Sequence, residues 1–340
     1  MEFNNSDFGT ARELTDYART ILENVRSAQD AAGQFTLANV LPDNTVDDID
    51  YETIVGGNQL GTTAEYRAYD AESPIMEDEG QIVMRGQLPP ISIKIPSGEY
   101  KQLKQRDQVV AGQMDDAAKL AKAIVNRAEF ARAQVLEEGK ITLRENGLFL
   151  DVDYGRKAEH TQTAANLWST AEADPFADLV NWMNVYSQTN GVYAGEVLVS
   201  QKVLNTLLAN EKFATAVYGA NAGRSYVAIA DMQSYLAAHG LPNIRVYGAN
   251  APVAGNLRKP FLSENKITFV PGDNGFVGQT LWGTTAEARQ PKYNIDRTEQ
   301  PGIVVGSYIK EDPLTLWTKA SAIMLPVVSN PNATFTATVL

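Results

Sequence analysis

Few residues of the types that perform catalysis occur in this sequence. The chain has no cysteine, which excludes disulfides, thiolate nucleophiles and most zinc and iron–sulfur sites. The only two histidines, His160 and His239, have no second histidine at ligand spacing. Neither a zinc site nor a serine-type triad is therefore predicted, and we expect both histidines at surface or cap positions.

Three local motifs are similar to binding loops, but each departs from the pattern that the chemistry requires. Gly139-Lys140 lies at a predicted helix end, so it does not form a phosphate-binding loop. The glycine-rich run 272–278 leads into residues 279–283, which have the pattern of a strand or turn and not of a helix start, and this favours a tight turn. Asp151 to Gly155 begins like a calcium loop, but the twelfth position is Gln162. We therefore predict no catalytic residue, no metal ligand and no cofactor.

Carboxylates are the one abundant reactive group. Asp and Glu total 41 against 29 Lys and Arg, giving a formal net charge of −12. Paired carboxylates can hydrolyse glycosides without a metal, so a carboxylate-dependent hydrolase is a distant alternative, although no pair stands out by its context. The negative charge repels a phosphate backbone and argues against dedicated nucleic-acid binding. The sequence favours a protein that is not an enzyme.

The length and composition are those of a globular protein. With 340 residues, 44% of them hydrophobic, the chain can bury a full core. No window approaches the ~20 apolar residues of a membrane span, and the polar N-terminus does not resemble a signal peptide. We therefore expect a soluble, unsecreted protein that does not enter a membrane.

The first hundred residues predict a helix, a connector and β-rich segments. A capping box at Thr10 to Glu13 precedes apolar residues at helical spacing. Leu41 to Asn44 and the following acidic run through Asp47, Asp48, Asp50 and Glu52 favour an extended, solvated connector. Alternating residues predict strands at 62–69 and 81–88, together a long hairpin, and at 91–95, the last with one buried face.

The strongest helix signal covers residues 114–138. Gly139 supplies its C-terminal stop, and the helix would be ~37 Å long at 1.5 Å per residue. Small alanines on its apolar seam favour close packing against a sheet over a coiled coil. The seam residues are Met114, Ala117, Ala121, Ile124, Ala128, Ala131 and Val135.

The remainder of the chain predicts a mixed α/β region and a β-rich tail. Asp174-Pro175 has the sequence of a helix N-cap followed by proline at the first helical position. A turn at Asp312-Pro313 separates two predicted strands in the tail. The predicted strands are 197–200, 244–247, 266–270, 303–310 and 314–328, and the predicted helices are 201–209 and 228–239.

Several local sequences, in this order and spacing, resemble the lambda-type major capsid proteins of tailed bacteriophages. The segments are Arg127 to Gly139, Val152 to Arg156, Trp168 with Asp174-Pro175, Ile267 to Pro271, Gly283 to Glu287, Asp312-Pro313 and Leu325-Pro326. They are packing and turn patterns, none of them a catalytic signature, and the resemblance extends over nearly the whole chain. It implies an α+β protein with the Hong Kong 97 capsid fold.

The resemblance also implies a division of the chain. The expected segments are an N-terminal arm (1–55), an E-loop hairpin (56–98), a peripheral domain (99–173) with a spine helix at about 112–138, an axial domain (174–297), and C-terminal strands returning to the peripheral domain (298–340). The implied function is a major capsid protein that assembles as hexamers and pentamers into an icosahedral shell. That shell would enclose double-stranded DNA without sequence-specific binding, in a virion assembled in the host cytoplasm.

In this family the E-loop lies across a neighbouring subunit, which suggests a role for its acidic tip. We expect Glu77, Asp78 and Glu79 to pair with basic residues of a neighbour, with a merely solvated turn as the alternative. The candidate partners are Arg144, Arg156 and Lys157, or Lys101, Lys104 and Arg106.

The resemblance further suggests which proteins act with this one. The chain leaves no room for a fused N-terminal scaffold before the hairpin, so we expect a separate scaffolding protein, besides a portal protein. No crosslinking lysine–asparagine pair is identifiable, which favours non-covalent closure, with a decoration or cement protein as an option. The nearest alternative is an encapsulin-type compartment; a tail-tube or portal protein is disfavoured by the long helix followed by an α/β region.

Overall fold

The computed structural model describes residues 3, 9–31, 36–56, 66–67, 72, 82–105, 109–220, 223–252, 258–272, 275–297 and 302–340. The chain forms two compact units. The first unit consists of residues 1–52, 85–132 and 278–327, and the second of residues 53–84, 133–277 and 328–340.

Both units mix helices with strands. The helices are α1 (Ala11–Ala31), α2 (Glu99–Gln105), α3 (Val109–Glu138), α4 (Pro175–Asn190), α5 (Gln201–Leu208), α6 (Glu211–Tyr218) and α7 (Ile229–Ala238). The strands are β1 (Asp43–Val46), β2 (Asp50–Val55), β3 (Ile82–Gln87), β4 (Pro90–Gly98), β5 (Lys140–Glu145), β6 (Leu148–Asp153), β7 (Thr161–Thr163), β8 (Glu196–Val199), β9 (Asn243–Val246), β10 (Asn250–Pro252), β11 (Arg258–Pro260), β12 (Lys266–Val270), β13 (Gly278–Gly283), β14 (Val304–Glu311), β15 (Leu314–Val328) and β16 (Phe335–Thr338).

The first unit is built on a five-stranded sheet. Its strand order is β1-β13-β15-β14, and β4 also pairs with β15. The predicted tail strands and their turn at Asp312-Pro313 are confirmed as the antiparallel pair β14–β15. The prediction of a solvated connector is wrong for residues 43–46, because β1 pairs in parallel with β13, with Asp43 opposite Thr280.

The predicted long helix is confirmed as α3. Gly139 ends it with a φ of +68°, and its N–H donates to the Val135 carbonyl at 2.8 Å. Every residue of the predicted seam from Ala117 to Val135 is buried. A seam of alanines therefore does bring this helix close to its neighbours.

Helix α1 begins at the predicted capping box. The N–H of Thr10 donates to Glu13 Oε2 at 2.9 Å, and the N–H of Glu13 donates to Thr10 Oγ1 at 3.2 Å. Within the first unit Thr15 Oγ1 donates to the Val305 carbonyl and accepts from the Val305 N–H. Side chains of α1 thereby satisfy backbone groups of β14, the last strand of the sheet.

The second unit contains the predicted α/β region. Its main sheet has the order β7-β16-β12-β8-β9, and α4 begins at Asp174, whose carboxylate accepts from the Ala177 N–H at 3.1 Å. The predicted strands and helices are confirmed within one or two residues, but α6, capped by Asn210, is an additional helix. Large buried side chains fill this core, among them Trp168, Trp182, Phe213, Phe269 and Phe335.

Two strand predictions need correction. The strand predicted at 81–88 forms as β3, but its partner is β2 and not 62–69. Tyr66 and Arg67 have no regular structure, and the rest of 62–69 lies outside the described residues. Acidic residues concealed β2, in which exposed Asp50 and Glu52 flank buried Tyr51.

The buried face predicted for strand 91–95 is not present in the single chain. Ile93 is 44% exposed, and Ile91 and Ile95 are half-buried. The strand itself is confirmed as β4, which pairs with β15. In the described part of the chain β4 has a neighbour on one side only, so its apolar residues find little to pack against.

Candidate functional site

The described residues offer no metal centre and no membrane span. Among them, no group of three or more Asp, Glu or His side chains could hold a metal ion, and no helix is long and apolar enough to cross a membrane. The calcium-like motif is used for local structure. Asp151 accepts from Thr142 at 3.0 Å, and Asp153 accepts from the Gly155 N–H at 2.8 Å.

The prediction that both histidines lie at surface or cap positions is wrong for His160. Its side chain is fully buried against Tyr186 and Phe335, with Nδ1 3.0 Å from the Thr334 carbonyl oxygen. Burial lowers the pKa of His160, since a charged ring would lose its hydration there. His239 does cap the C-terminus of α7 and is exposed. The neighbouring residues Lys157, Glu159 and Thr161 are exposed, so His160 is a single buried side chain in a surface segment.

A cavity of about 420 Å³ lies in the first unit. Each of its charged groups has a partner: Lys319 Nζ lies 3.0 Å from Glu287 Oε1, and Lys94 Nζ lies 4.4 Å above the Trp317 ring. Burial alone would raise the pKa of Glu287, but hydrogen bonds from Lys319, Ser321 and the backbone together lower it. A carboxylate held ionised in this way is suited to an ion pair and not to general acid catalysis. The lining residues are Phe3, Ser92, Ile93, Lys94, Glu287, Tyr293, Tyr308 and Lys319.

Large apolar side chains are exposed at places that a soluble monomer would not favour. On α2, Tyr100 and Leu103 are 73% and 74% exposed, beside Lys101 and Lys104. On the β5–β6 hairpin, Phe149 is 81% exposed. Exposed apolar groups beside charged residues are candidate surfaces for contact with another macromolecule.

The structure places the predicted basic partners in different environments. Glu77, Asp78, Glu79 and Arg106 lie outside the described residues. Lys101 pairs with Asp116 at 3.2 Å, and Lys104 lies over the Tyr100 ring. Arg144 and Lys157 are exposed.

Among the predicted basic partners that the structure describes, Arg156 makes three hydrogen-bond contacts within its own chain. It donates to the carbonyls of Leu136 and Glu137 at the end of α3 and to Thr334 Oγ1. Burial lowers the pKa of Arg156 to about 10, so the side chain stays charged at neutral pH. A cation on the last carbonyls of a helix favours the helix dipole, and the role of this residue is therefore structural.

A buried ion network in the first unit is absent from the sequence prediction. Arg132 of α3 donates to Glu129 Oε1 at 2.6 Å, to Thr280 Oγ1 at 2.8 Å and to Asp43. Trp282 Nε1 also donates to Asp43 Oδ1, at 2.6 Å. These contacts join α3, β1 and β13. The signal for them in the sequence was a charged pair, Glu129 and Arg132, placed directly after Ala128 and Ala131 of the α3 seam.

The comparisons with known proteins agree with one another. The sequence model of the family described as phage major capsid protein E matches residues 59–339. No curated protein matches the sequence. A crystal structure assigned as a prophage capsid protein of Escherichia coli CFT073 is 14% identical, with a TM-score of 0.59, covering 90% of this chain and 93% of the other. A phage-related protein of Bordetella bronchiseptica RB50 is 14% identical, with a TM-score of 0.55, covering 96% and 95%.

Proposed function

The chain belongs to the phage major capsid protein E family, and on that premise we propose that its copies join through an acidic E-loop tip bound to a basic, apolar surface of a neighbour. The chain is a shell-forming major capsid protein of a tailed bacteriophage with the Hong Kong 97 fold. The family match supports this function over the encapsulin alternative.

The α2 surface is the receptor that we propose for the tip. Glu77, Asp78 and Glu79 follow Ile75-Met76 in the sequence, so the tip combines charge with apolar side chains. Helix α2 offers the complement, because Lys101 and Lys104 stand beside exposed Tyr100 and Leu103. Exposed ion pairs contribute only ~0–1 kcal/mol each, so the apolar contact and the repetition over the shell supply most of the affinity. Arg106 belongs to the same proposed receptor, with Arg144 and Lys157 as the alternative one.

The finer organisation is part of the proposal. We assign residues 1–55 to the N-terminal arm, 56–98 to the E-loop, 99–173 and 298–340 to the peripheral domain and 174–297 to the axial domain. The chain acts without catalysis, as hexamers and pentamers around double-stranded DNA, and assembles in the host cytoplasm. A separate scaffolding protein, a portal protein and a decoration or cement protein are its proposed partners. The net charge of −12 supports a shell that encloses DNA without gripping it.

Charge reversal tests the contact. E77K/D78K/E79K should prevent shell formation in electron microscopy and light scattering while the circular dichroism of the unassembled chain stays unchanged. Adding K101E/K104E should restore shells, because the swapped charges attract again. Normal particles from the triple variant would refute the contact, and rescue by R144E/K157E instead would move the receptor there.

The wild type supplies the test of shell formation itself. Closed icosahedral shells, or rings of five and six copies, are expected when the protein is overproduced with a scaffold. A stable monomer at every salt concentration would contradict the capsid function and return the carboxylate-dependent hydrolase to consideration.

A further inference from the structure

The β5–β6 hairpin presents an uncovered aromatic residue next to an uncompensated cation. Phe149 is 81% exposed and lies directly opposite Arg144 in the strand register. Asn146 and Gly147 form the connecting turn with φ values of +49° and +86°, the conformation that keeps two strands in a tight hairpin. Among the described residues, no carboxylate pairs with Arg144.

The rest of this exposed face is matched within the hairpin. Thr142 donates to Asp151 at 3.0 Å, and Lys140 lies opposite Asp153 in the register. Because a two-stranded hairpin is marginal by itself, a large exposed phenyl ring on it is unfavourable unless another surface covers it. Aromatic and arginine side chains are also the residues that dominate binding at protein interfaces. Phe149 and Arg144 thus require a surface with an apolar group beside a carboxylate.

The first unit has such a surface between Asp48 and Glu52. Ile49 is 40% exposed between the exposed carboxylates of Asp48 and Asp50. Glu52 already pairs with Arg85 at 3.0 Å, and Asp48 accepts the N–H of Ile49 at 2.7 Å. In the described part of the chain the Asp50 side chain has no cationic partner. The isoleucine and the remaining carboxylate complement the hairpin in both polarity and charge.

We propose that Arg144 and Phe149 of one copy dock on Asp50 and Ile49 of a second copy. The phenyl ring covers the isoleucine, and the guanidinium approaches the carboxylate. The contact joins two different surfaces of one chain, so it is heterologous, and a heterologous contact forms a ring when the rotation between copies closes. The proposal rests on shell formation and on α2 being the receptor of the E-loop tip, because Arg144 is also the alternative receptor; rescue of E77K/D78K/E79K by R144E/K157E would therefore count against it.

A charge swap tests the pairing. R144E and D50K should each raise the protein concentration needed for shell assembly by about tenfold, and R144E/D50K should return it to within about threefold of the wild type. Both positions are exposed, so the urea midpoint of the unassembled chain should not change. A double variant as defective as the worse single variant would overturn the proposal.

The apolar half has a matched control. F149A should raise the assembly concentration, whereas Y226A, which removes an aromatic ring that is 55% exposed elsewhere in the second unit, should not. Equal behaviour of these two variants would also overturn the proposal. If R144E/D50K assembles and E77K/D78K/E79K also forms normal shells, only the E-loop contact is refuted. If the wild type forms no shells, both the E-loop contact and the hairpin contact are refuted.

Discussion

Replacing Arg132 with methionine tests whether the buried ion network fixes α3 to the sheet of the first unit. The Arg132 side chain is 3% exposed, and those of Glu129 and Asp43 are 11% and 12% exposed. Methionine keeps the approximate length of the side chain and its helix propensity, so the change removes charge and hydrogen bonds with little effect on packing. Two carboxylates then remain in a poorly hydrated site without the cation between them.

The contacts that remain set the size of the effect. Removing one partner of a buried ion pair costs ~3–5 kcal/mol in other proteins. Here Asp43 keeps the Trp282 N–H at 2.6 Å and Arg26 at 3.4 Å, and Glu129 keeps the Leu37 N–H at 3.3 Å. We therefore expect Arg132→Met to cost about 3 kcal/mol in the free energy of unfolding, the lower end of that range.

Arg26→Met is the matched control. Arg26 pairs with the same carboxylate, but its side chain is 54% exposed. Water screens that pair, and the substitution should cost only ~0–1 kcal/mol. The same chemical change is thus made on both sides of one carboxylate, once in the interior and once at the surface.

Urea unfolding of the dilute, unassembled chain at neutral pH measures both variants. The midpoint should fall much further for R132M than for R26M, at an unchanged slope. A loss below about 1 kcal/mol for R132M, or equal losses for the two variants, would refute the claim that the network holds β1 and β13 to α3.

Three further substitutions test the interior. Burial lowers the pKa of His160, so the folded chain resists protonation of this ring more than the unfolded chain does. The stabilisation from the neutral ring is therefore complete above the unfolded pKa of ~6.5. As the pH drops below that value, the free energy of unfolding should decrease by up to ~1.4 kcal/mol per pH unit. Urea midpoints from pH 7.5 to 5 should fall less steeply in H160L than in the wild type; parallel curves would contradict this. Gly306 has no room for a Cβ, which would lie 2.5 Å from the Phe3 ring. G306A should therefore destabilise the wild type but cause little further loss in the F3A variant. Additive losses in urea unfolding would argue against a contact between the two residues. A Cβ on Gly195 would lie 2.2 Å from the backbone of a neighbouring loop, so G195A should lower the free energy of unfolding by ~1–3 kcal/mol in urea unfolding. As the control, a Cβ on Gly98 meets nothing within 4 Å, and G98A should cost under ~0.5 kcal/mol. Similar losses in the two variants would show that the loop adjusts.

Local signals in the sequence were sufficient for much of the fold. The capping box at Thr10, the N-cap at Asp174 and the alanine seam of α3 each depend on neighbours within a few residues, so they predict an element correctly without knowledge of the fold. Strand pairing is different, because β3 could have paired with either of two upstream segments. Its true partner β2 has acidic residues on its exposed face, and these concealed the alternation.

Burial of polar residues could not be predicted in the same way. His160 follows charged residues in the sequence, yet the fold places aromatic rings around it. Glu129 and Arg132 stand three residues apart, the usual spacing of an exposed pair on a helix. Only their position next to Ala128 and Ala131 of the seam indicated an interior location, and Asp43, which completes the network, lies 89 residues from Arg132.

Contacts between copies are harder to predict than local elements or the burial of polar residues. The residues in such contacts have the same sequence signature as core residues. Phe149 stands in the apolar run Leu148-Phe149-Leu150, which does not show by itself which face is buried, and Tyr100 and Leu103 have helical spacing. The folded single chain separates the two classes, since it buries the core and leaves these three side chains more than 70% exposed. In a chain that forms shells, we propose that other copies cover the surfaces on which these side chains lie. Substitutions at these three positions should therefore alter assembly without altering the stability of the unassembled chain, and substitutions in the network of Arg132 should lower that stability first.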